Sequence, residues 1–214
     1  MWTKILTGII FIYKNWYKYW AKFLTVIGDI KVYPLRPLFF IYNPEEYDYK
    51  VRGYDIRQIM KIIKPGDILL RRYEHYLDSA LIPGKYSHSG IYVGNHTIIH
   101  AVAEGVREID IIDYCLSDGL LLLRPKKGIK KAVKRAKDSL GCCYDFKFNS
   151  SDSSAFYCHE LTAHCYRELD IEAYPIKFCG KVLPLLDKKF LAESFICNDN
   201  IDCLLEIDPT IGEE

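Results

Sequence analysis

The hydrophobic pattern changes period along this chain, and each change marks an element. Over the first 27 residues Trp2, Ile5, Ile9, Ile12, Trp16, Tyr19, Phe23 and Ile27 recur at helical spacing. Lys14, Lys18 and Lys22 recur at i, i+4 away from that stripe. The pattern predicts an amphipathic helix with an aromatic and aliphatic face set against lysines. Such a helix suits a membrane interface, or equally the surface of a folded domain with its lysines in water. Its apolar run, Ile5 to Tyr13, is broken by Thr7 and Gly8 and ends at Lys14. That is far short of the ~20 residues that span a bilayer. No small-x-small cleavage site follows, so no cleavable signal peptide is read. The expected location is the cytoplasm, with peripheral contact to a membrane surface through residues 2–27 held open.

Beyond Gly28 the period is lost. "YPLRPLFFIYNPEE" carries three prolines, and residues 28–55 read as irregular and extended. "DIRQIMKII" (55–63) regains helical spacing, with Asp55 as the expected N-cap. "KPGD" is a turn, and "ILLRR" opens a strand. Two β-rich runs follow, "SHSGIYVG" (87–94) and "TIIHAVA" (97–103), around the hairpin signal Gly94-Asn95-His96. "VREIDII" (106–112) and "GLLLLRP" (119–125) read as further strands. "GIKKAVKRAKDSLG" (128–141) reads as a basic helix stopped by Gly141. Ser153 or Ser154 is the expected cap of a helix from about Phe156 to Glu168, and the tail shows no clean period. Strands in a run flanked by helices predict an α+β fold. The expected division is an N-terminal segment, 1–60, and a folded domain, 61–214.

Composition narrows the function classes. A formal net charge of +1 removes the long-range reason to expect nucleic acid. The basic stretch "KKGIKKAVKR" reads as a solvated helix face, with an anionic-lipid or phosphate patch as its alternative. The eight cysteines include no CxxC pair and form no dense framework, so reduced thiols are expected.

The densest chemistry lies in "AFYCHELTAHCY" (155–166). His159 and His164 are five positions apart, roughly 140° around a helix, and cannot bind one metal as i, i+4 histidines do. Cys158 and Cys165 are about 10 Å apart along the axis, too far to share a zinc ion. No metal site is expected there. Cys158, Leu161, Cys165 and Leu169 share one stripe, which fits a core helix. Cys158 is also a first-turn residue, where unpaired N–H groups favour a thiolate, so it is the candidate nucleophile. Its candidate base is His88, which alternates with Gly90 and Tyr92 on one strand face. His100 is the candidate orienting group, and hairpin register decides whether it can serve. A two-residue loop places His100 opposite Ser89, on the wrong face. A three-residue loop, 94–96, places it opposite Gly90 and diagonal to His88, and this register is expected. His75 and His96 are assigned to loops, and His159 and His164 to the rim of the site or to solvent.

"KPGDILLRR", "YSHSGIYVG", "TIIHAVAEGV", "LGCCYDFKF" and "FYCHELTAHCYREL" resemble, in that order, the YiiX-like branch of the NlpC-type papain-fold cysteine hydrolases. That branch is circularly permuted, so the histidine precedes the cysteine. The resemblance covers residues 63–178. It implies Cys158 as nucleophile, His88 as general base and His100 as third polar residue, where the family often has Glu in a "VIEA"-like strand. His159 stands where the family often has Ser. Glu160 matches a recurrent glutamate, and Tyr144-Asp145 a "YD" that shapes the approach to the thiol. With Tyr86, these residues are the expected substrate-binding set. The implied fold is a small antiparallel sheet packed against the nucleophile helix. The implied activity is that of a thiol-dependent amidase or peptidase, acting on a peptide- or lipid-linked amide or ester and needing no metal or organic cofactor. An acyltransferase of the lipid-handling papain-fold type is the alternative. Another is an inactive protein that presents its N-terminal helix to a membrane or partner.

Overall fold

The computed structural model describes residues 16–28, 30–33, 39–42, 49–74, 76, 82–148, 154–175, 177–178, 181–182 and 188–209. Trp2, Ile5, Ile9, Ile12, Lys14, His75 and Ser153 lie outside the described residues. Residues 16–28 form helix α1, and Gly53–Ile62 form α2. Between them β1 (Ile30–Tyr33) pairs antiparallel with β2 (Phe39–Tyr42), a hairpin where proline content had suggested only irregular chain. Asp55 is not the N-cap of α2. Arg52 is, and Asp55 sits three residues into the helix and accepts the Arg52 backbone N–H at 2.9 Å.

The body of the molecule is one six-stranded antiparallel sheet. It comprises β3 (Ile68–Arg72), β4 (His88–Gly94), β5 (Thr97–Val102), β6 (Gly105–Asp110), β7 (Gly119–Pro125) and β10 (Ile201–Ile207). The spatial order is β10-β7-β3-β4-β5-β6. A separate two-stranded ribbon joins β8 (Lys177–Phe178) to β9 (Lys181–Val182). The sixth strand, β10, comes from the tail that showed no clean period. Only its end residues, Ile201 and Ile207, are buried, rather than every second one, because it is an edge strand with a bulge between Cys203 and Leu205.

Strand alternation splits the core in two. Ile68, Leu70, Ile91, Ile99, Leu121 and Leu123 face one side, under helices α4 (Ile129–Asp138) and α5 (Cys158–Cys165). Leu69, Tyr92, Ile98, Leu120 and Leu122 face the other, under α2 and the short helix α3 (Ile111–Tyr114). The sheet is therefore covered on both faces. The run expected as a strand over 106–112 turns at Asp110. Its carboxylate accepts the Ile112 N–H at 2.7 Å and caps α3. A last short helix, α6 (Glu193–Ile196), inserts Phe195 into the first core.

The β4–β5 hairpin reaches its expected register by an unexpected route. Gly94 pairs with Thr97 across a two-residue turn, Asn95-His96, both at positive φ (52° and 58°). That is the twist a tight hairpin favours. A bulge at Val93 then shifts the ladder by one residue, so that Tyr92 opposes Ile98 and Gly90 opposes His100. The loop is shorter than three residues, and the bulge supplies the difference.

Candidate active site

Helix α5 starts at Cys158, two residues later than expected, and Tyr157 rather than a serine is its N-cap. Glu160 reaches back to accept the Tyr157 N–H at 3.2 Å, a capping role for the recurrent glutamate. The Phe190 N–H donates to the Tyr157 hydroxyl at 2.8 Å. Thr162, one turn on, meets the Ser89 hydroxyl at 2.9 Å. The helix start is thus fixed both to β4 and to the C-terminal segment, and Cys158 comes to rest beside the head of β4.

Two side-chain pairs form there. On the sheet, His88 Nε2 lies 3.0 Å from His100 Nδ1, with the rings edge-on at 85°. Tyr114 packs against both rings and donates its hydroxyl to Leu69 O at 2.8 Å. Gly90 makes room for it. A Cβ there would lie 2.6 Å from Ile98 Cγ2 and 2.9 Å from Tyr114 Cε2. On the helix, Cys158 Sγ lies 3.3 Å from His159 Nδ1 and 3.8 Å from Ser87 O. Each pair is internally bonded. Among the described residues, no hydrogen bond joins Cys158 to His88.

Arg71, paired across the ladder with His88, was missed by sequence reasoning. Its guanidinium is buried, 4.5 Å over the Tyr114 ring and 4.9 Å over Tyr73. Nη1 donates to Tyr114 O at 3.3 Å, and Nε is buried with no hydrogen-bond partner among the described residues. The available signal was alternation: Leu69 and Arg71 share a strand face, and Leu69 is core.

Burial controls the electrostatics. It pushes the Cys158 thiol up to about 11, against backbone hydrogen bonds from His159, Ser89 and Cys158 itself and the charge of Arg71. The thiolate expected at a helix N-terminus is therefore not the resting form. Burial also holds His88 well below the usual imidazole range, with Arg71, His100 and His159 acting in the same direction. His100 is lowered to about 3 by burial, then by Arg71 and Arg107. His159 is lowered to about 3 by burial. The resting cluster is a neutral thiol among neutral imidazoles.

The remaining candidates are placed as follows. Tyr86 is buried and donates to Glu206 Oε1 at 2.6 Å. Asp145 is buried and accepts the Lys147 N–H at 2.8 Å. Tyr144 packs on Phe146 and Phe148. His159 is buried and stacks on Phe195, its Nε2 without a hydrogen-bond partner among the described residues. His164 is half-buried against Phe156. Among the described residues no group of three or more His, Cys, Asp or Glu is arranged to hold a metal ion.

The profile of a family described as permuted papain-like amidase enzymes, YaeF/YiiX, C92 family, matches residues 62–204. Protein OPG091 of vaccinia virus (strain Copenhagen) is 29% identical over 138 residues, covering 61% of this chain and 77% of that protein. Its monkeypox virus counterpart is 28% identical over 138 residues with the same coverage. The crystal structure of metalloprotein YiiX from Escherichia coli O157:H7 superposes with a TM-score of 0.57 at 20% identity. It covers 68% of this chain and 98% of its own.

Proposed function

This chain belongs to the permuted papain-like amidase family, and from that premise we propose that it is a cysteine hydrolase that cleaves an amide or ester bond through a thioacyl enzyme. The observation that carries the reading is the 3.0 Å contact between His88 Nε2 and His100 Nδ1. His100, held near pKa 3, stays neutral and accepts a hydrogen bond at Nδ1. His88 then carries its proton on Nε2, and its Nδ1 lone pair is the base. The resting thiol turns from His159 to His88, its proton passes to His88 Nδ1, and Sγ attacks the substrate carbonyl carbon. The resulting imidazolium is stabilised by donating to His100 and returns the proton to the leaving amine or alcohol. The first backbone N–H groups of α5, which lack intrahelical partners, face the developing oxyanion. Water, deprotonated by His88, then attacks the thioester and frees the acid and the thiol.

A neutral resting pair suits this sequence of events. A thiol raised to about 11 is unreactive until a bound substrate excludes water and brings Cys158 and His88 together. The test is trapping: wild-type protein is incubated with activated acyl esters and peptide amides, quenched in acid and mapped by mass spectrometry. The expected result is an acyl group on the Cys158 peptide alone, released by hydroxylamine and absent in Cys158→Ala. Acylation spread over several cysteines, or none with any substrate, would overturn the reading. Persistence of the adduct in water with fast release to an added amine would assign the acceptor role to amines, the acyltransferase alternative.

A further inference from the structure

Helix α1 does not bury the stripe that its sequence displays. Trp16 is 66% exposed, Tyr19 69% and Phe23 52%, and Trp20 and Val26 are exposed beside them. On a helical projection these five span roughly 120°. The helix is held at one edge of that arc, by Trp20 and the neighbouring Tyr17. Tyr17 packs edge-on against Phe146, the Trp20 indole N–H donates to Phe146 O at 3.3 Å, and Lys147 Nζ lies over the Tyr17 ring at 5.3 Å. The aromatic arc is thereby turned away from the domain.

Its chemistry identifies what would cover it. Two tryptophans, a tyrosine and a phenylalanine form an arc with apolar bodies and polar edges, suited to the boundary between acyl chains and headgroups. Lys22 lies about 40° beyond its Val26 edge and Lys18 about 80° beyond it, and residues 2–27 hold four lysines and no Asp or Glu. That charge fits an anionic surface. A protein partner would fit this arc less well, since lysine is depleted at protein interfaces. Among the described residues no helix is long and apolar enough to cross a bilayer, so contact is along the surface. The anchoring side is continuous with the site. Phe146 stacks on Tyr144, Tyr144 on Phe148, and Phe148 on Tyr157, the N-cap of the nucleophile helix.

We propose that the exposed aromatic arc of α1, with Lys22 and Lys18 beyond its Val26 edge, is an interfacial docking surface for anionic bilayers. It places the thiol-bearing end of α5 beside the membrane through the aromatic series 146–144–148–157. The proposal does not depend on the catalytic reading. Its test uses an optical property of the chain: all three tryptophans, Trp2, Trp16 and Trp20, lie in the first 20 residues. Full-length protein is mixed with vesicles of phosphatidylcholine alone, or with about one third phosphatidylserine, then sedimented, and its tryptophan emission is recorded. The expected result is co-sedimentation and a blue shift with the anionic vesicles, weakened by high salt. The triple variant Trp16→Ser, Tyr19→Ser, Phe23→Ser should bind both vesicle types about tenfold or more weakly, having lost its apolar insertion. Lys18→Glu, Lys22→Glu should lose the preference for phosphatidylserine. Both variants alter exposed residues, so melting temperature and turnover of a soluble ester should match wild type. Wild-type protein left in the supernatant with both vesicle types would overturn the proposal. So would equal binding by the triple variant. A homodimer that the triple variant dissolves, with no vesicle binding, would assign the arc to a second copy instead.

Discussion

The two bonded pairs at the head of β4 are built by opposite means. His88–His100 is a long-range product of hairpin register, held on the sheet by Tyr114, Gly90 and the Val93 bulge. Cys158–His159 is local, two consecutive residues in the first turn of a helix. The first pair is costly to place, since a one-residue slip would turn His100 to the other face. The second follows wherever α5 starts. Geometry that is costly to hold has the stronger claim to function, so the proposed mechanism takes the sheet pair as the base and its support and the helix pair as the parked state of the nucleophile.

Substitutions should separate the pairs. The largest effect is expected at the atoms shared by all outcomes: Cys158→Ala should reduce turnover to background with melting temperature little changed. His88→Ala should follow, with kcat lowered by about 10³-fold, the range of a lost general base. His100→Ala should cost about 10–100-fold, and His100→Glu, which restores an acceptor for His88 Nε2–H, should recover much of it. His159→Ala should cost less than about tenfold, because it removes only the parking contact. A loss at His159 exceeding that at His88 would reverse the assignment and make the helix pair the catalytic one.

Both pairs leave a mark in acid. His100 and His159 are each lowered by burial to about 3, against about 6.5 in an unfolded chain. Between those values the unfolded chain binds protons that the folded one does not. Their contribution to stability is therefore complete above pH ~6.5 and drains away as pH falls from there toward about 3. Urea denaturation at pH 7 and pH 5 should show the drop, and it should shrink in His159→Asn. The smallest effect is at the hairpin tip. His96 sits at φ 58°, a left-handed conformation that glycine adopts without strain. His96→Gly should raise stability by about 1 kcal/mol and leave turnover unchanged. Thermal unfolding alongside the kinetic assay checks both.

The pattern of legibility follows the same division. The strands from Ile68 to Pro125, the basic helix and the helix of Cys158 were visible because period and chain-local breakers specify them. The family was visible because its motifs keep their order over residues 63–178, and the profile match over 62–204 contains that stretch and runs on past it. What escaped depends on distant partners. β10 gains its place from pairing with β7, although its own burial does not alternate. Arg71 was read only as part of the strand that "ILLRR" opens, and the positions of Tyr73 and Tyr114 reveal a buried cation. The thiol's raised pKa was likewise unreadable, because the helix dipole is local whereas the burial opposing it belongs to the whole fold.

The bulge at Val93 has a consequence in terms of phase. A pleated strand repeats every two residues, so a single extra residue is a half-period shift. In this hairpin it cancels the half-period mismatch between the tight Asn95-His96 turn and the histidine pair further down. Tip and site are therefore out of step with each other, and each is in step with its own requirement. The tip can change its length by one residue without disturbing the site, provided the bulge is lost or gained along with it.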